Sequence, residues 1–281
     1  MDVFDLPAVE ALITTALGED LGAGDLTTRL TVPAGTRARA QIAAKQSAVI
    51  AGMPLIRRVC AAGGGGVDVV ERVADGAHVS SGDVLARLSG DAHVLLATER
   101  VILNLLQHLS GIATFTARFV AAVGGCGCRI VDTRKTTPGL RTLEKYAVRV
   151  GGGFNHRQRL DDGILIKNNH IAAAGGLTAA LTATRLTAPH GLKIEVECRT
   201  LDEVNEAVAG GADIILLDNR PVAQITDAAQ RVAGRAILEV SGGITLDNVR
   251  AVAATGVDII SVGALTHSAP AVDLHLTLSL A

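Results

Sequence analysis

Six short apolar runs in the second half of the chain decide the fold: Arg129-Ile-Val131, Gly163-Ile-Leu-Ile166, Lys193-Ile-Glu-Val196, Asp213-Ile-Ile-Leu-Leu217, Ala236-Ile-Leu-Glu-Val240 and Asp258-Ile-Ile-Ser-Val262. Each has strand length, and helical segments separate them. Strand then helix, repeated, predicts parallel βαβ units. In a parallel barrel the carboxyl ends of all strands meet on one face, where the active site lies. The residues that follow these runs are Asp132-Thr-Arg-Lys135, Lys167-Asn-Asn-His170, Glu197, Asp218-Asn219, Ser241-Gly-Gly243 and Gly263-Ala264. Cations, acids and glycine loops are therefore expected around one mouth. Six strands suit an incomplete α/β barrel as well as a full one.

Upstream of these runs the rhythm differs. Pro7 suits a first helical position, and Val9, Leu12, Ile13, Ala16 and Leu17 predict an amphipathic helix over 7–17. Residues 26–90 read as short β-like runs broken by glycines, at 38–44, 48–52, 67–73 and 84–88. The stretch 73–86 resembles the turn of biotin- and lipoyl-carrier sandwiches but has no lysine at its tip, so it reads as scaffold. Helical spacing returns over 98–109, with Val101, Ile102, Leu105, Leu106 and Leu109 on one face and Arg100, Asn104, Gln107 and Gly111 on another stripe. That helix is expected to link a small first domain, 1–110, to a larger barrel domain, 111–267, with the tail 268–281 packing back on the first.

Composition narrows the functions available. The chain has 281 residues, 48% of them hydrophobic and 19% charged, which is globular rather than disordered. Four Phe, one Tyr and no Trp are too few rings for a single-stranded nucleic-acid platform. A formal charge of −2 gives no global positive field for DNA or an anionic membrane. The uncharged run 101–117 is interrupted by Asn104, Gln107 and His108 and is too short to span a bilayer. The acidic opening Met1-Asp-Val-Phe-Asp5 has no basic region of a secretory signal. The four cysteines, Cys60, Cys126, Cys128 and Cys198, show no zinc-finger spacing and are expected as reduced thiols in a cytoplasmic protein. Charge is not evenly spread: between Arg129 and Lys167 nine bases outnumber four acids. Such an excess in a near-neutral chain suggests a small polyanionic ligand.

The strand ends indicate what that ligand is. Ser241-Gly-Gly and Val262-Gly-Ala264 follow the last two strands, where barrels bind phosphate groups with glycine amides and helix starts. Glu197 and Asp218 end adjacent strands, and acids there can hold a sugar diol or hydrated Mg²⁺; a salt bridge to Lys167 or Lys193 is the alternative. Arg134, Lys135, Arg157 and Lys167 are the loop-end cations. Any one alone fits a structural ion pair, but four at one mouth repel one another unless an anion joins them.

Longer strings then become specific. Val131-Asp-Thr-Arg-Lys-Thr-Thr-Pro-Gly-Leu-Arg141, Glu144-Lys-Tyr-Ala-Val148, Gly151-Gly-Gly-Phe-Asn-His-Arg157 and Leu165-Ile-Lys-Asn-Asn-His-Ile171 closely resemble the quinolinate phosphoribosyltransferases. So do Glu19-Asp-Leu-Gly-Ala-Gly-Asp-Leu-Thr-Thr28 and the helix from Glu99 to Thr114. The resemblance covers nearly the whole chain. It implies an N-terminal α/β sandwich plus an incomplete TIM-like α/β barrel, assembled as a homodimer or hexamer. It also implies transfer of phosphoribose from phosphoribosyl pyrophosphate to quinolinate with release of pyrophosphate and CO₂, the entry to NAD. Carried over by motif, Thr133, Arg134, Lys135, Arg157 and Lys167 correspond to quinolinate and phosphate ligands, and His156 lines the same pocket. Arg100 corresponds to an arginine donated across the dimer. Glu197 and Asp218 match acids facing ribose and Mg²⁺, with Lys135 and Lys167 beside them in the catalytic set. Ser241, Gly242, Gly243, Val262, Gly263 and Ala264 match the 5-phosphate loops.

Three positions depart from the family's usual pattern: Phe154, Gln158-Arg159 and Asn168. The first two are expected to alter loop shape. Asn168 removes a negative charge near Lys167 and weakens the assignment of metal binding at that position. Three rivals remain distinguishable. A homologous family associated with molybdenum transport usually lacks the Lys-Asn-Asn-His form. A class I aldolase would use Lys167 as a Schiff base, but the arginine set favours a dicarboxylate. A non-catalytic anion carrier would have no need of the strand-end acids.

Overall fold

A computed structural model describes residues 2–280. The first elements in chain order are α1 (Pro7–Leu21), α2 (Leu26–Thr31), β1 (Arg37–Ala44), β2 (Ala48–Val49), α3 (Pro54–Ala62), β3 (Val67–Glu71), β4 (His78–Val79), β5 (Val84–Asp91) and α4 (Ala92–Ala122). Then come β6 (Arg129–Val131), α5 (Arg141–Val150), β7 (Ile164–Ile166), α6 (Asn168–Ala174), α7 (Leu177–Thr187), β8 (Ile194–Cys198), α8 (Leu201–Ala209) and β9 (Ile214–Asp218). The last are α9 (Val222–Val232), β10 (Ile237–Ser241), α10 (Val249–Ala253), β11 (Ile259–Ser261), α11 (Ala264–His267) and β12 (Leu274–Leu280).

The chain forms two compact units. One holds everything up to Ala117 together with Thr137–Gly152 and the tail from Ser268; the other holds Arg118–Thr136 and Gly153–His267. Contacts group the chain through Ala117 with the first unit, because α4 is one unbroken helix that runs past the 110/111 boundary expected from the sequence. The segment 137–152, expected in the barrel domain, belongs to the first unit.

In the first unit an antiparallel sheet runs in the order β12-β1-β5-β3. Alternation along β1 buries Ala38, Ala40 and Ile42 and exposes the residues between, so one face of the sheet is packed. The region 26–90 is less purely β than its glycines suggest. Asp25 caps α2 by accepting from the Thr28 N–H, and Pro54 starts α3, which buries Leu55, Ile56, Val59 and Cys60 at helical spacing. The apolar face of α4 is buried as its spacing predicts. Its polar stripe is divided: Arg100 and Asn104 are exposed, whereas Gln107 Nε2 donates to the Leu274 carbonyl at 3.0 Å and Gly111 lies under Pro270. A Cβ on Gly111 would stand 2.3 Å from the Pro270 oxygen. In α5, Glu144 is fully buried and accepts from His108 Nε2 at 2.8 Å and the Thr137 N–H at 3.0 Å.

The second unit is an open α/β barrel. All six strands are parallel, in the order β6-β11-β10-β9-β8-β7, with β6 and β7 unpaired to each other. Phe154 adds a single bridge at the β6 edge. The outward residues Ile215, Leu217, Leu238 and Val240 are buried, while the opposite phase of β8 and β10 carries Glu195, Glu197 and Glu239. Acids in the inward phase of otherwise apolar strands mark the interior as a site rather than a hydrocarbon core. Among the described residues no helix is long and apolar enough to cross a membrane.

Candidate active site

Two loops at the β6 end are tied together by Asp132. This carboxylate is fully buried and accepts from Asn155 Nδ2 at 2.5 Å and from the His156 N–H at 2.9 Å. Backbone bonds from Phe154 N to Ile130 O and from Asp132 N to Phe154 O extend the sheet by one short step. That step delivers His156 and Arg157 to the mouth. The Phe154 ring turns outward, with the Arg129 guanidinium 4.9 Å from its centroid. Its substitution therefore acts through the loop's outer surface and not through the pocket wall. The Gln158 and Arg159 N–H groups both donate to the Asp162 carboxylate, closing a turn that holds Arg157 from below.

His156 has defined partners on both ring nitrogens. Nδ1 accepts from the Arg157 N–H at 2.7 Å, so the proton of the neutral ring sits on Nε2. Nε2 lies 3.0 Å from Glu195 Oε2 and 3.6 Å from Glu239 Oε1. Arg157 donates to the Gly163 carbonyl at 3.0 Å. Burial, and then the neighbouring Arg134 guanidinium, push Arg157 below the ordinary arginine value. Two guanidiniums held against their mutual repulsion can receive an anion.

Lys135 is placed by small neighbours. Its carbonyl accepts from Thr266 Oγ1 at 2.8 Å, and its N–H donates to Thr133 Oγ1 at 3.0 Å. Its stem crosses Gly263 so closely that a Cβ there would be 3.0 Å from Lys135 Cδ. Lys167 sits exposed at the start of α6, its N–H donating to His170 Nδ1 at 2.9 Å. The next residue, Asn168, reaches across to Glu197: Nδ2 donates to Glu197 Oε1 at 2.6 Å, and the buried Oδ1 has no hydrogen-bond partner. Burial pushes the Glu197 carboxyl up, the nearby Lys167 opposes this, and Asp218 adds to it. Asp218 accepts from Asn219 Nδ2 at 3.0 Å, and Asn219 adopts a left-handed φ of 52°. Gly242 faces that side chain. Its φ is +84°, and a Cβ would lie 2.5 Å from Asn219 Cγ, so no other residue fits there.

Nine expected residues wall one cavity of about 310 Å³: Thr133, Arg134, Lys135, His156, Arg157, Lys167, Glu197, Asp218 and Ser241. Leu165, Leu216, Glu239 and Ser261 complete it. Gly242, Gly243, Gly263 and Ala264 continue from the neighbouring strand ends outside this wall. Val262 is buried, and its N–H donates to the Val131 carbonyl at 2.9 Å, so neither its side chain nor its amide is presented to the cavity. Arg100 belongs to the other unit, on the exposed part of α4, and makes no ion pair among the described residues.

Comparison with known proteins bears on the same residues. The profile for the quinolinate phosphoribosyl transferase C-terminal domain matches residues 112–277, and that for the N-terminal domain matches 25–110. The chain belongs to the quinolinate phosphoribosyltransferase family. A nicotinate-nucleotide pyrophosphorylase [carboxylating] of Mycobacterium leprae is 47% identical over 280 residues, covering 98% of both chains. A probable enzyme of the same name from Bacillus subtilis is 44% identical, covering 93% of this chain and 90% of its own. The crystal structure of NadC from Streptococcus pyogenes superposes with a TM-score of 0.94 at 40% identity, over 99% of each chain.

Within this quinolinate phosphoribosyltransferase, sequence reading missed three side chains that shape the site. Asp132 stands in the Val131–Arg141 motif, where an acid directly after a strand and before two cations is its signal. Asn168 appeared as a lost charge, whereas its amide holds Glu197. Glu239 was passed over inside an apolar strand, although it shares the inward phase of Ser241.

Proposed function

We propose that the cations of the mouth bind the carboxylates of quinolinate and the phosphates of its co-substrate, and that Glu197 and Asp218 face the ribose. As a quinolinate phosphoribosyltransferase, the chain moves the phosphoribosyl group of phosphoribosyl pyrophosphate to the pyridine nitrogen of quinolinate. The products are nicotinate mononucleotide, pyrophosphate and CO₂, a step of NAD biosynthesis. The observation that carries the assignment is the pairing of Arg134 with Arg157 beside Lys135 and Lys167, facing two strand-end acids in one small cavity.

Each group has a task suited to its chemistry. The guanidiniums hold planar carboxylates by paired hydrogen bonds, and they fix the ring so that its nitrogen meets the anomeric carbon. As pyrophosphate departs, positive charge grows on the ribosyl centre, and carboxylates already in place stabilise it without reorganisation. Quaternised nitrogen then draws electrons from the adjacent C2 bond, and CO₂ leaves. Lys167 acts by charge in this scheme, not through an imine.

The donor set also suits Mg²⁺. Glu197, Asp218 and the unpartnered Asn168 Oδ1 offer only oxygen, which this hard ion prefers. When bound, the ion neutralises phosphate charge. Asn168 aids this by orienting Glu197, so Asn168→Ala is expected to raise the Mg²⁺ concentration for half-maximal activity about 10-fold. A Mg²⁺ titration at saturating substrates reads the change directly; an unaltered midpoint would remove Asn168 from this role.

The assembly belongs to the same proposal. Arg100, exposed and without an ion-pair partner in its own unit, completes the quinolinate pocket of a second copy in a homodimer or hexamer. A cytoplasmic location belongs to the same proposal, in keeping with four free cysteines. The deciding assay is release of labelled CO₂ from carboxyl-labelled quinolinate. Release that requires both phosphoribosyl pyrophosphate and Mg²⁺ is expected; release without either, or none with both, would refute the reading.

A further inference from the structure

Decarboxylation sets a requirement that the cations cannot explain. When the C2–carboxylate bond breaks, CO₂ leaves and the electron pair stays on C2. The product carries hydrogen there, so one proton must reach the pocket in every turnover.

We propose that Glu239 delivers this proton to C2, and that a cavity beneath it restores the proton from water. The inference rests on the phosphoribosyl transfer described above. Glu239 lies on β10 two residues below Ser241, paired in register with Leu216, so its side chain forms the floor of the mouth. It also borders a second cavity of about 570 Å³, walled at the starts of the strands by Gly191, Lys193, Ile214 and Ile259. His156, Arg157 and Glu239 border both spaces, and Glu239 is the one carboxyl among them. A proton can thus enter from below while substrates fill the mouth above.

The surroundings of Glu239 suit a carboxylic acid that gives and regains a proton. It is 2% exposed, and Oε1 has no hydrogen-bond partner. Facing it are Glu195 from β8, His156 from the loop after Phe154, and Ser261 from β11. Burial first, and then the charge of Glu195, raise its pKa to about 7 against the pull of His156 and Ser261. The acid therefore holds a proton close to neutral pH. His156 is a poorer donor, since its Nε2 proton is directed at Glu195. In the step, the C2 electron pair takes the Glu239 proton and Glu239 becomes a carboxylate. That anion is buried beside a second carboxylate, which drives it to take a proton from water in the lower cavity.

The same three groups, His156, Glu195 and Glu239, present ligand atoms within 4.8 Å of one another and could hold a divalent cation in place of the proton. The test therefore begins with the metal content of the dialysed full-length protein. Less than one equivalent per chain is expected; one equivalent that is lost in Glu239→Gln would overturn the proposal. Glu239→Gln copies the shape of the protonated acid without its acidity. Its kcat should fall about 100-fold or more, with the KM for quinolinate within about threefold. In a single turnover it should still release pyrophosphate while the undecarboxylated nucleotide accumulates. Pyrophosphate release reports the transfer itself, so a failed transfer is distinguished from a failed protonation. CO₂ release that keeps pace with pyrophosphate at the native rate would overturn the proposal, as would loss of kcat accompanied by loss of quinolinate binding. Should Glu239→Gln not fold, Glu239→Asp carries the same measurement. The intermediate should accumulate there to a smaller extent, and its absence would overturn the proposal.

Discussion

Glu197→Ala and Asp218→Ala are each expected to lower kcat by about a hundredfold or more, with little change in thermal stability. Both carboxylates line the 310 Å³ mouth, and Glu197 is oriented by Asn168. A negative group already aimed at a centre that becomes positive is worth most in the transition state and little in the ground state, so kcat should fall more than KM rises. Stability follows the opposite logic for Glu197. Its carboxyl is raised above the ordinary value, chiefly by burial, so its stabilising contribution is present at low pH and lost as pH rises through the folded value. At pH 7 the ionised side chain is a burden to the fold, and removing it should not lower the melting temperature. Steady-state kinetics beside a thermal melt at pH 7 reads both quantities. Near-native kcat in both variants would remove these acids from the reaction.

Mixing two inactive variants should restore activity. On the proposed assembly, Arg100→Ala would damage a residue given to the neighbouring pocket, and Lys167→Ala would damage the subunit's own pocket. In a mixed dimer one site carries both lesions and the other carries neither, because a two-fold interface exchanges equivalent residues. About half of native activity per mixed dimer is therefore expected. The variants alone should stay inactive, and the yield should follow the fraction of heterodimer measured by native mass spectrometry. The exposure of Arg100 and its lack of an ion pair within its unit motivate the experiment. Verified heterodimers without activity would show that Arg100 serves its own subunit.

The barrel was legible because its strands are buried apolar runs whose polar residues fall at their carboxyl ends. β6 to β11 lie within a residue or two of the runs read from sequence. The cations and acids were legible for the same reason: a strand end is a position, and parallel strands send all such positions to one face. What escaped was set by contacts distant in sequence. Asp132 acquires its role only when Asn155 and His156 return to it, and Asn168 only when β8 brings Glu197 within reach. The motif at 144–148 carries the family resemblance with no role assigned from sequence; in the structure Glu144 anchors His108 and Thr137, and the Tyr146 hydroxyl donates to Asp75 at 2.6 Å. A motif that carries a family resemblance can thus be held by packing within one unit.

The pairing of β12 with β1 has a temporal consequence. Residues Ala38 to Ala44 find their partners at Leu274 to Leu280, far along the chain. During synthesis the ribosome releases β1 long before β12, so the first sheet lacks its outer strand until residues 274–280 have emerged. The exposed edge of β1 is then a template for a neighbouring nascent chain. Deletion of even a few residues of β12 should therefore cost soluble yield before it costs turnover.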